Sequence, residues 1–180
     1  MRTKVHKWFW IWDFDKEEKW LNEMASKGLT LTSIGYCTYV FEDTLPGEYS
    51  IKLEMLKDVP SKPESIKYIQ FVEETGAEYL GSMLRWVYFR KKKEYGEFEL
   101  YSDYPARIKH LTMIFNFLLI MSLVNLANGL NNLILGLTNQ FIVNTILGIM
   151  VLLLSLVFLI GAYKLWKKRD ILKKEAQLFE

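Results

Sequence analysis

The order of apolar and polar positions divides the chain into two parts. Residues 1–109 mix charged and apolar residues as a globular sequence does, whereas the 54 residues between Lys109 and Lys164 contain no Asp, Glu, Lys or Arg. A bilayer core about 30 Å thick needs about 20 apolar residues per helix, so this stretch is long enough to cross twice. The pattern predicts a transmembrane helical hairpin with spans at about 108–135 and 141–166.

In the first part, strand-like alternation and helical periodicity succeed one another. The pattern predicts a strand over 4–12, a helix near 16–27 and a second helix within 61–76. Between the helices, the β-rich runs "LTLTSIGYCTYVFED" and "GEYSIKLEML" are predicted to form a hairpin across a turn at "TLPG", and a last strand is predicted in "AEYLGSMLRWVYFRKKK". Gly28 and Gly76 are expected to end the two helices, and Asp103 is expected to start the first membrane helix. The order β-α-β-β-α-β is that of a ferredoxin-like sandwich. The predicted class is therefore α+β, with a ferredoxin-like domain over 1–93, a connector over 94–104, the transmembrane hairpin over 105–168 and a basic tail over 169–180.

The opening stretch "KWFWIWDFD" carries the most unusual pattern. In a strand, its three tryptophans lie on one side, and the neighbouring last strand adds two more aromatics to that face; the five residues are Trp8, Trp10, Trp12, Trp86 and Tyr88. An exposed aromatic patch above a few hundred Å² usually marks an interface. Either another layer, the connector or a second protomer covers this sheet face, or the face binds a peptide, a lipid or a small hydrophobic ligand.

Charge and motif content argue against nucleic-acid binding and catalysis. Up to His110 there are 17 basic and 18 acidic residues, so little attraction for phosphate is expected, and the predicted third strand lacks the aromatic, glycine-containing signature of RNA-recognition domains. The two histidines have no zinc-site spacing, Cys37 is the single cysteine, and glycine-rich phosphate loops are missing. We expect no catalytic residue, metal site or cofactor, and we expect Glu17 and Glu18 to be solvated.

The apolar stretch has small and amide-bearing residues at helical spacings. They are Ser122, Asn125, Gly129 and Asn132 on the first helix, and Asn144, Gly148 and Ser155 on the second. Small residues allow close helix packing, and amides form hydrogen bonds across helices, so a tight hairpin or an oligomer is predicted. The alternative is a polar permeation path lined by Asn116, Asn125, Asn128 and Asn132, although no intramembrane carboxylate or cation supports an ion relay.

Basic residues predict the orientation in the membrane. A cluster follows the second span, including Lys164, Lys167, Lys168 and Arg169, which are expected to contact lipid headgroups. Arg107 and Lys109 precede the first span, and the loop "GLTNQ" is uncharged. The positive-inside rule therefore predicts a multi-pass protein of the cell membrane with both termini in the cytoplasm.

The stretches "KWFWIWDFDKEEKWLNEMASKGLTL" and "YVFEDTLPGEYSIKLE", followed by a helical hairpin, resemble the uncharacterised bacterial DUF2812 family of small membrane proteins. The resemblance covers essentially the whole chain and implies no reaction or catalytic residue. Members of such families are often encoded beside PadR-like transcription regulators, which implies an inducible stress or antimicrobial response.

Two functional hypotheses follow. The first is a membrane-anchored, non-enzymatic regulator or adaptor whose cytoplasmic aromatic sheet face binds a protein partner or a hydrophobic effector, with the hairpin as anchor and homo-oligomerisation site. The alternative is a small oligomeric membrane protein that forms a pore, or assists transport, through its asparagine-bearing hairpin.

Overall fold

The chain forms two compact units in a computed structural model that describes residues 2–101 and 103–178. The units are Met1–Ser102 and Asp103–Glu180. The first contains short helices and two three-stranded antiparallel sheets, and the second consists of two long apolar helices. The predicted α+β class is therefore confirmed. Residues 179 and 180 of the predicted basic tail, and residue 102 of the predicted connector, lie outside the described residues.

The first unit has the order β-α-β-β-β-α-β-β among its described residues. The elements are β1 (Arg2–His6), α1 (Phe14–Ser26), β2 (Leu29–Gly35), β3 (Thr38–Asp43), β4 (Tyr49–Met55), α2 (Pro63–Glu74), β5 (Ala77–Met83) and β6 (Trp86–Lys92), with short 3-10 helices at Ile11–Asp13 and Lys93–Tyr95. One sheet has the strand order β1-β3-β2, and the other has the order β4-β6-β5.

The ferredoxin-like order is not confirmed, because two runs predicted to be single strands fold back on themselves. "LTLTSIGYCTYVFED" forms the hairpin β2–β3, and the last predicted strand forms the hairpin β5–β6. The predicted pairing across the "TLPG" turn is also wrong, since β3 and β4 belong to different sheets. The hairpin turns contain Cys37 and Leu84, whose φ angles are 49° and 56°. Bulky residues rarely adopt positive φ, so neither turn has the usual sequence signal.

The two halves of this unit repeat one structural plan. Leu29 pairs with Asp43, and Ala77 pairs with Lys91, so both partners lie 48 residues further along in the second hairpin. Each hairpin also has one register shift, between Leu31 and Ser33 in the first and between Tyr79 and Gly81 in the second, at the same spacing of 48. The unit is therefore two β-α-β-β repeats with matching strand order.

Helix α1 packs against both sheets. Its buried side chains follow a helical stripe and are Phe14, Glu17, Leu21 and Ala25. On one side Trp20 contacts Tyr39 and Phe41 of β3, with ring centroids 5.0 and 5.7 Å apart. On the other side Phe14 contacts Trp86 of β6 at 5.3 Å. This helix therefore joins the two sheets through one apolar core.

Helix α1 also covers the free edge of β4. The Asn22 amide donates to the carbonyl oxygen of Ile51 at 2.8 Å, and the Ile51 N–H donates to Asn22 Oδ1 at 2.9 Å. One turn earlier, Glu18 accepts from the Leu53 N–H and forms an ion pair with Lys52 at 3.0 Å. These side chains take the place of a neighbouring strand, so this part of the edge is not left with unpaired backbone groups.

The second unit contains α3 (Tyr104–Thr138) and α4 (Ile142–Leu178). Asp103 is the N-cap of α3 and accepts a hydrogen bond from the Ala106 N–H at 2.9 Å. Among the described residues, these two helices are long and apolar enough to cross a membrane, with mean hydropathies of 1.8 and 2.7. The length and the apolar composition of these helices indicate a membrane protein, as the charge-free stretch predicted.

Candidate functional site

The tryptophan-rich segment is not a strand. Strand β1 ends at His6, residues 7–10 have no regular structure, and Ile11–Asp13 form a 3-10 turn in which the Asp13 N–H donates to the Trp10 carbonyl at 2.8 Å. The predicted strand over 4–12 is therefore confirmed for residues 4–6 and wrong for residues 7–12. The reason is that the chain has to turn from the edge of one sheet into α1, and this turn replaces the expected alternation of faces.

Two of the three tryptophans form an exposed surface, and the third supports it. Trp8 and Trp10 are 55% and 46% exposed, whereas Trp12 is buried. Trp10 stacks on Trp12 with ring centroids 4.9 Å apart and planes 6° apart, and Trp8 meets Trp10 edge to face at 5.7 Å. Tyr36, at the tip of the β2–β3 hairpin, lies 6.4 Å from Trp8. We call Trp8, Trp10 and Tyr36 the aromatic ledge.

Phe9 attaches this segment to the core from the opposite side. Its ring lies 5.6 Å from Trp20 and 6.4 Å from Tyr39. The ammonium of Lys7 lies over the Phe9 and Trp20 rings, at 5.0 and 4.4 Å from their centroids. These contacts hold the backbone between β1 and α1, so the ledge is attached to a packed support.

Trp86 and Tyr88 do not belong to the ledge. Both are buried in β6, where Trp86 packs on Phe14 and Tyr88 is 2% exposed. The structure therefore keeps Trp8 and Trp10 together, places Trp12 beneath them and directs the two β6 aromatics into the core. The sequence did not reveal Tyr36, because its proximity to Trp8 depends on a hairpin turn that the pattern of residues did not show.

A buried carboxylate, also missed by the sequence, lies at the centre of the core. Glu17 is 7% exposed and accepts hydrogen bonds from the hydroxyls of Tyr39 and Tyr88 at 2.8 and 2.6 Å. Burial raises the pKa of Glu17, while the two hydrogen bonds oppose that rise; burial beside this carboxylate raises the pKa of each phenol. The expectation that Glu17 is solvated is wrong. Its spacing from Phe14 and Leu21 was the available signal.

A second buried carboxylate lies on β4. Glu54 accepts hydrogen bonds from the hydroxyls of Tyr68 on α2, at 2.5 Å, and Tyr101 near the end of the unit. Burial raises the pKa of Glu54 as well, again against the effect of its hydrogen bonds. This network ties α2 and the segment after β6 to the sheet, next to the buried cluster that contains Val72 and Phe98.

These polar groups are arranged for stability. Each glutamate has two phenolic donors, and phenols with raised pKa values remain neutral hydrogen-bond donors near neutral pH. Among residues 2–101 and 103–178, no three His, Cys, Asp or Glu side chains lie together as metal ligands. The surface feature with recognition chemistry is the aromatic ledge.

In the membrane hairpin, small residues lie between the helices. Ser122 Oγ donates to the Ser155 carbonyl at 3.0 Å, and Ser155 Oγ donates to the Ser122 carbonyl at 2.8 Å. A Cβ on Gly129 would lie 2.8 Å from the Leu152 side chain, and one on Gly148 would lie 2.9 Å from the Gly129 carbonyl. The two backbones therefore approach each other as closely as glycine allows.

The asparagines and the basic cluster have other surroundings. Asn125 and Asn132 donate to carbonyls one turn earlier on their own helix, at 2.7 and 2.9 Å, and both are half-buried, as is Asn144. Lys164 and Lys167 are exposed, while Lys168 and Arg169 are half-buried. The Arg169 guanidinium lies over the Phe115 ring at 4.9 Å.

The chain was compared with known protein families, curated proteins and solved structures. A family model described as "Protein of unknown function (DUF2812)" matches residues 13–123, from the start of α1 into α3. The searches of curated proteins and of solved structures found no match. Because the family match covers more than half of the chain, this protein belongs to the DUF2812 family, in agreement with the resemblance seen in its sequence.

Proposed function

We propose that this protein is a membrane-anchored, non-enzymatic regulator or adaptor that binds a protein partner or a hydrophobic effector on the aromatic ledge. The observation that carries the proposal is the exposure of Trp8 and Trp10, which are 55% and 46% accessible. Both are exposed although Phe9, between them in the chain, packs on Trp20 and although Trp10 stacks on the buried Trp12. Large aromatic side chains that are fixed in place provide contact area at little cost in conformational entropy. Aromatic residues are enriched in protein–protein interfaces relative to the rest of the protein surface.

The two apolar helices are the anchor in this proposal. The basic residues that flank them support an orientation with both termini in the cytoplasm, so that the aromatic ledge meets cytoplasmic ligands. The family resemblance adds an inducible stress or antimicrobial response as the setting. Protease added outside intact cells should leave residues 1–101 uncut, and digestion there would reverse the proposed orientation.

Photocrosslinking in intact cells tests the binding role. A benzophenone amino acid at position 10 should give discrete crosslinked species, which mass spectrometry identifies, and Trp8→Ala should reduce their yield. The matched control is position 95, where Tyr95 is 60% exposed and lies outside the ledge. If positions 10 and 95 give the same products, or if position 10 gives none, the ledge does not bind a protein partner.

The pore hypothesis has less support. Asn125 and Asn132 each donate one amide N–H to a carbonyl of their own helix, which turns that donor away from a water-filled path. Ion flux through liposomes that contain the intact chain, reduced by Asn125→Leu, would establish this alternative, and absence of flux would end it.

A further inference from the structure

The charged residues in the segment that carries the exposed tryptophans are all basic. Residues 2–12 include Arg2, Lys4 and Lys7 but no Asp or Glu. On β1 the exposed positions are Arg2, Lys4 and His6, which share one side of the strand because they are two residues apart. The basic side chains of Arg2 and Lys4 therefore share one side of the strand that precedes the exposed tryptophans.

Nearby acidic groups are largely engaged by other cations. Glu42, which lies opposite Arg2, forms an ion pair with Arg90 at 2.7 Å, and Asp13 forms one with Lys16 at 2.7 Å. Lys4 lies opposite Val40, an apolar residue, and is exposed. The positive charge of this surface is therefore available to an anionic ligand.

Exposed tryptophan and tyrosine next to lysine and arginine match the chemistry of a bilayer interface. Aromatic rings with one polar edge favour the headgroup level, and anionic lipids attract basic residues within a Debye length. The same chain contains two helices able to cross a bilayer, so lipid is present at high effective concentration. A protein partner would have to supply comparable negative charge and apolar surface.

We propose that the aromatic ledge docks on the anionic surface of the bilayer, with Trp8 and Trp10 between lipid headgroups and Lys4 facing the phosphates. The inference rests on the binding surface of the proposed function and names its ligand. Docking is reversible and depends on charge, so the lipid composition of the membrane controls how much of the ledge is free for other ligands.

Nitroxide labelling of the full chain in nanodiscs tests this proposal. In a Cys37→Ser background, a label is placed at Tyr36→Cys, where the side chain is 80% exposed; the label replaces the tyrosine of the ledge and leaves both of its tryptophans in place. The matched control is a label at Leu84→Cys, the tip of the repeated hairpin, where the side chain is 81% exposed. Power saturation with oxygen and with a nickel chelate then reports whether each label lies in lipid or in water.

We expect the label at position 36 to be shielded from nickel in discs that contain phosphatidylglycerol and accessible in discs of phosphatidylcholine alone. Lys4→Glu changes the charge by two, so it should lower the ratio of docked to free molecules about 30-fold. Lys67→Glu makes the same change on the exposed surface of α2 and should leave the ratio unaltered. Equal tryptophan fluorescence in discs of phosphatidylcholine alone, where no variant docks, would show that each variant is folded.

Four results would overturn the proposal. The first three are equal nickel access at position 36 in both kinds of disc, equal shielding of positions 36 and 84, and shielding that Lys4→Glu does not alter. Shielding of position 36 only in the presence of a crosslinked protein would also reject the lipid ligand while leaving the adaptor function intact. Conversely, lipid docking without any specific crosslink from position 10 would confirm this inference and reject a protein partner.

Discussion

Replacing Glu17 by alanine tests whether the buried carboxylate holds the core of the first unit together. The change removes the acceptor of two hydroxyl donors, on Tyr39 and Tyr88, which are 5% and 2% exposed. A buried donor left without a partner costs about 1–3 kcal/mol, so two cost about 2–6 kcal/mol. Removal of the carboxylate also removes its own cost of burial, which opposes this loss. We therefore expect a net destabilisation near the lower limit, about 2 kcal/mol.

The assay is thermal unfolding of the full chain in detergent, followed by near-ultraviolet circular dichroism of the aromatic residues in the first unit. For a unit of this size, a loss of 2 kcal/mol lowers the midpoint by about 8–16 °C. Glu23→Ala, at an exposed position of α1, is the matched control and should change stability by less than about 0.5 kcal/mol. If Glu17→Ala and Glu23→Ala unfold at the same temperature, the two hydrogen bonds do not stabilise the unit and the reasoning is refuted.

Three further changes test the pH dependence of Glu17 and the close backbone contacts of two glycines. Burial raises the pKa of Glu17 above its usual 4.5. The protonated carboxyl therefore contributes to the free energy of unfolding below pH 4.5, and this contribution is lost as the pH rises through the folded-state pKa. In urea titrations at several pH values, Glu17→Gln should remove this loss of stability. Gly136→Leu should lower the unfolding temperature of the solubilised hairpin more than Leu137→Ala, because a Cβ at 136 lies 2.5 Å from a backbone nitrogen of α4, whereas Leu137 is exposed. Gly28→Ala should lower the unfolding midpoint more than Gly96→Ala. Both glycines have positive φ, so the backbone strain is similar in the two variants. A Cβ at position 28, however, would lie 2.9 Å from a carbonyl oxygen, whereas a Cβ at position 96 would meet nothing within 4 Å.

The features that the sequence predicted correctly are those with a local physical cause. Gly28 and Gly76 mark the ends of α1 and α2, where they adopt φ angles of 83° and 86° that other residues avoid. Asp103 caps α3 through its own side chain. The charge-free stretch predicted two apolar helices because a bilayer imposes both length and composition. In each case a few neighbouring residues are sufficient to determine the structure.

The features that were missed depend on tertiary contacts. Trp8, Trp10 and Trp12 alternate as in a strand, but packing of Phe9 on Trp20 and a 3-10 turn place them in a connecting segment. The turns at Cys37 and Leu84 have positive φ, which strand pairing on both sides stabilises against local preference. Glu17 is buried because two tyrosines from different sheets reach it, and nothing within α1 shows that they do.

The contacts of Asn22 with Ile51 affect how copies of the protein can associate within a membrane. A protein confined to two dimensions meets its neighbours often, and exposed strand edges then act as templates for aggregation. Asn22 occupies the edge of β4 with both a donor and an acceptor, while β1, an outer strand of the other sheet, presents Arg2 and Lys4. The edge of β4 is thus closed by an amide, and the basic residues at the edge of β1 repel the same residues of a second copy. These contacts disfavour association through β1 and β4, and they leave the exposed tryptophans of the ledge as a surface for binding.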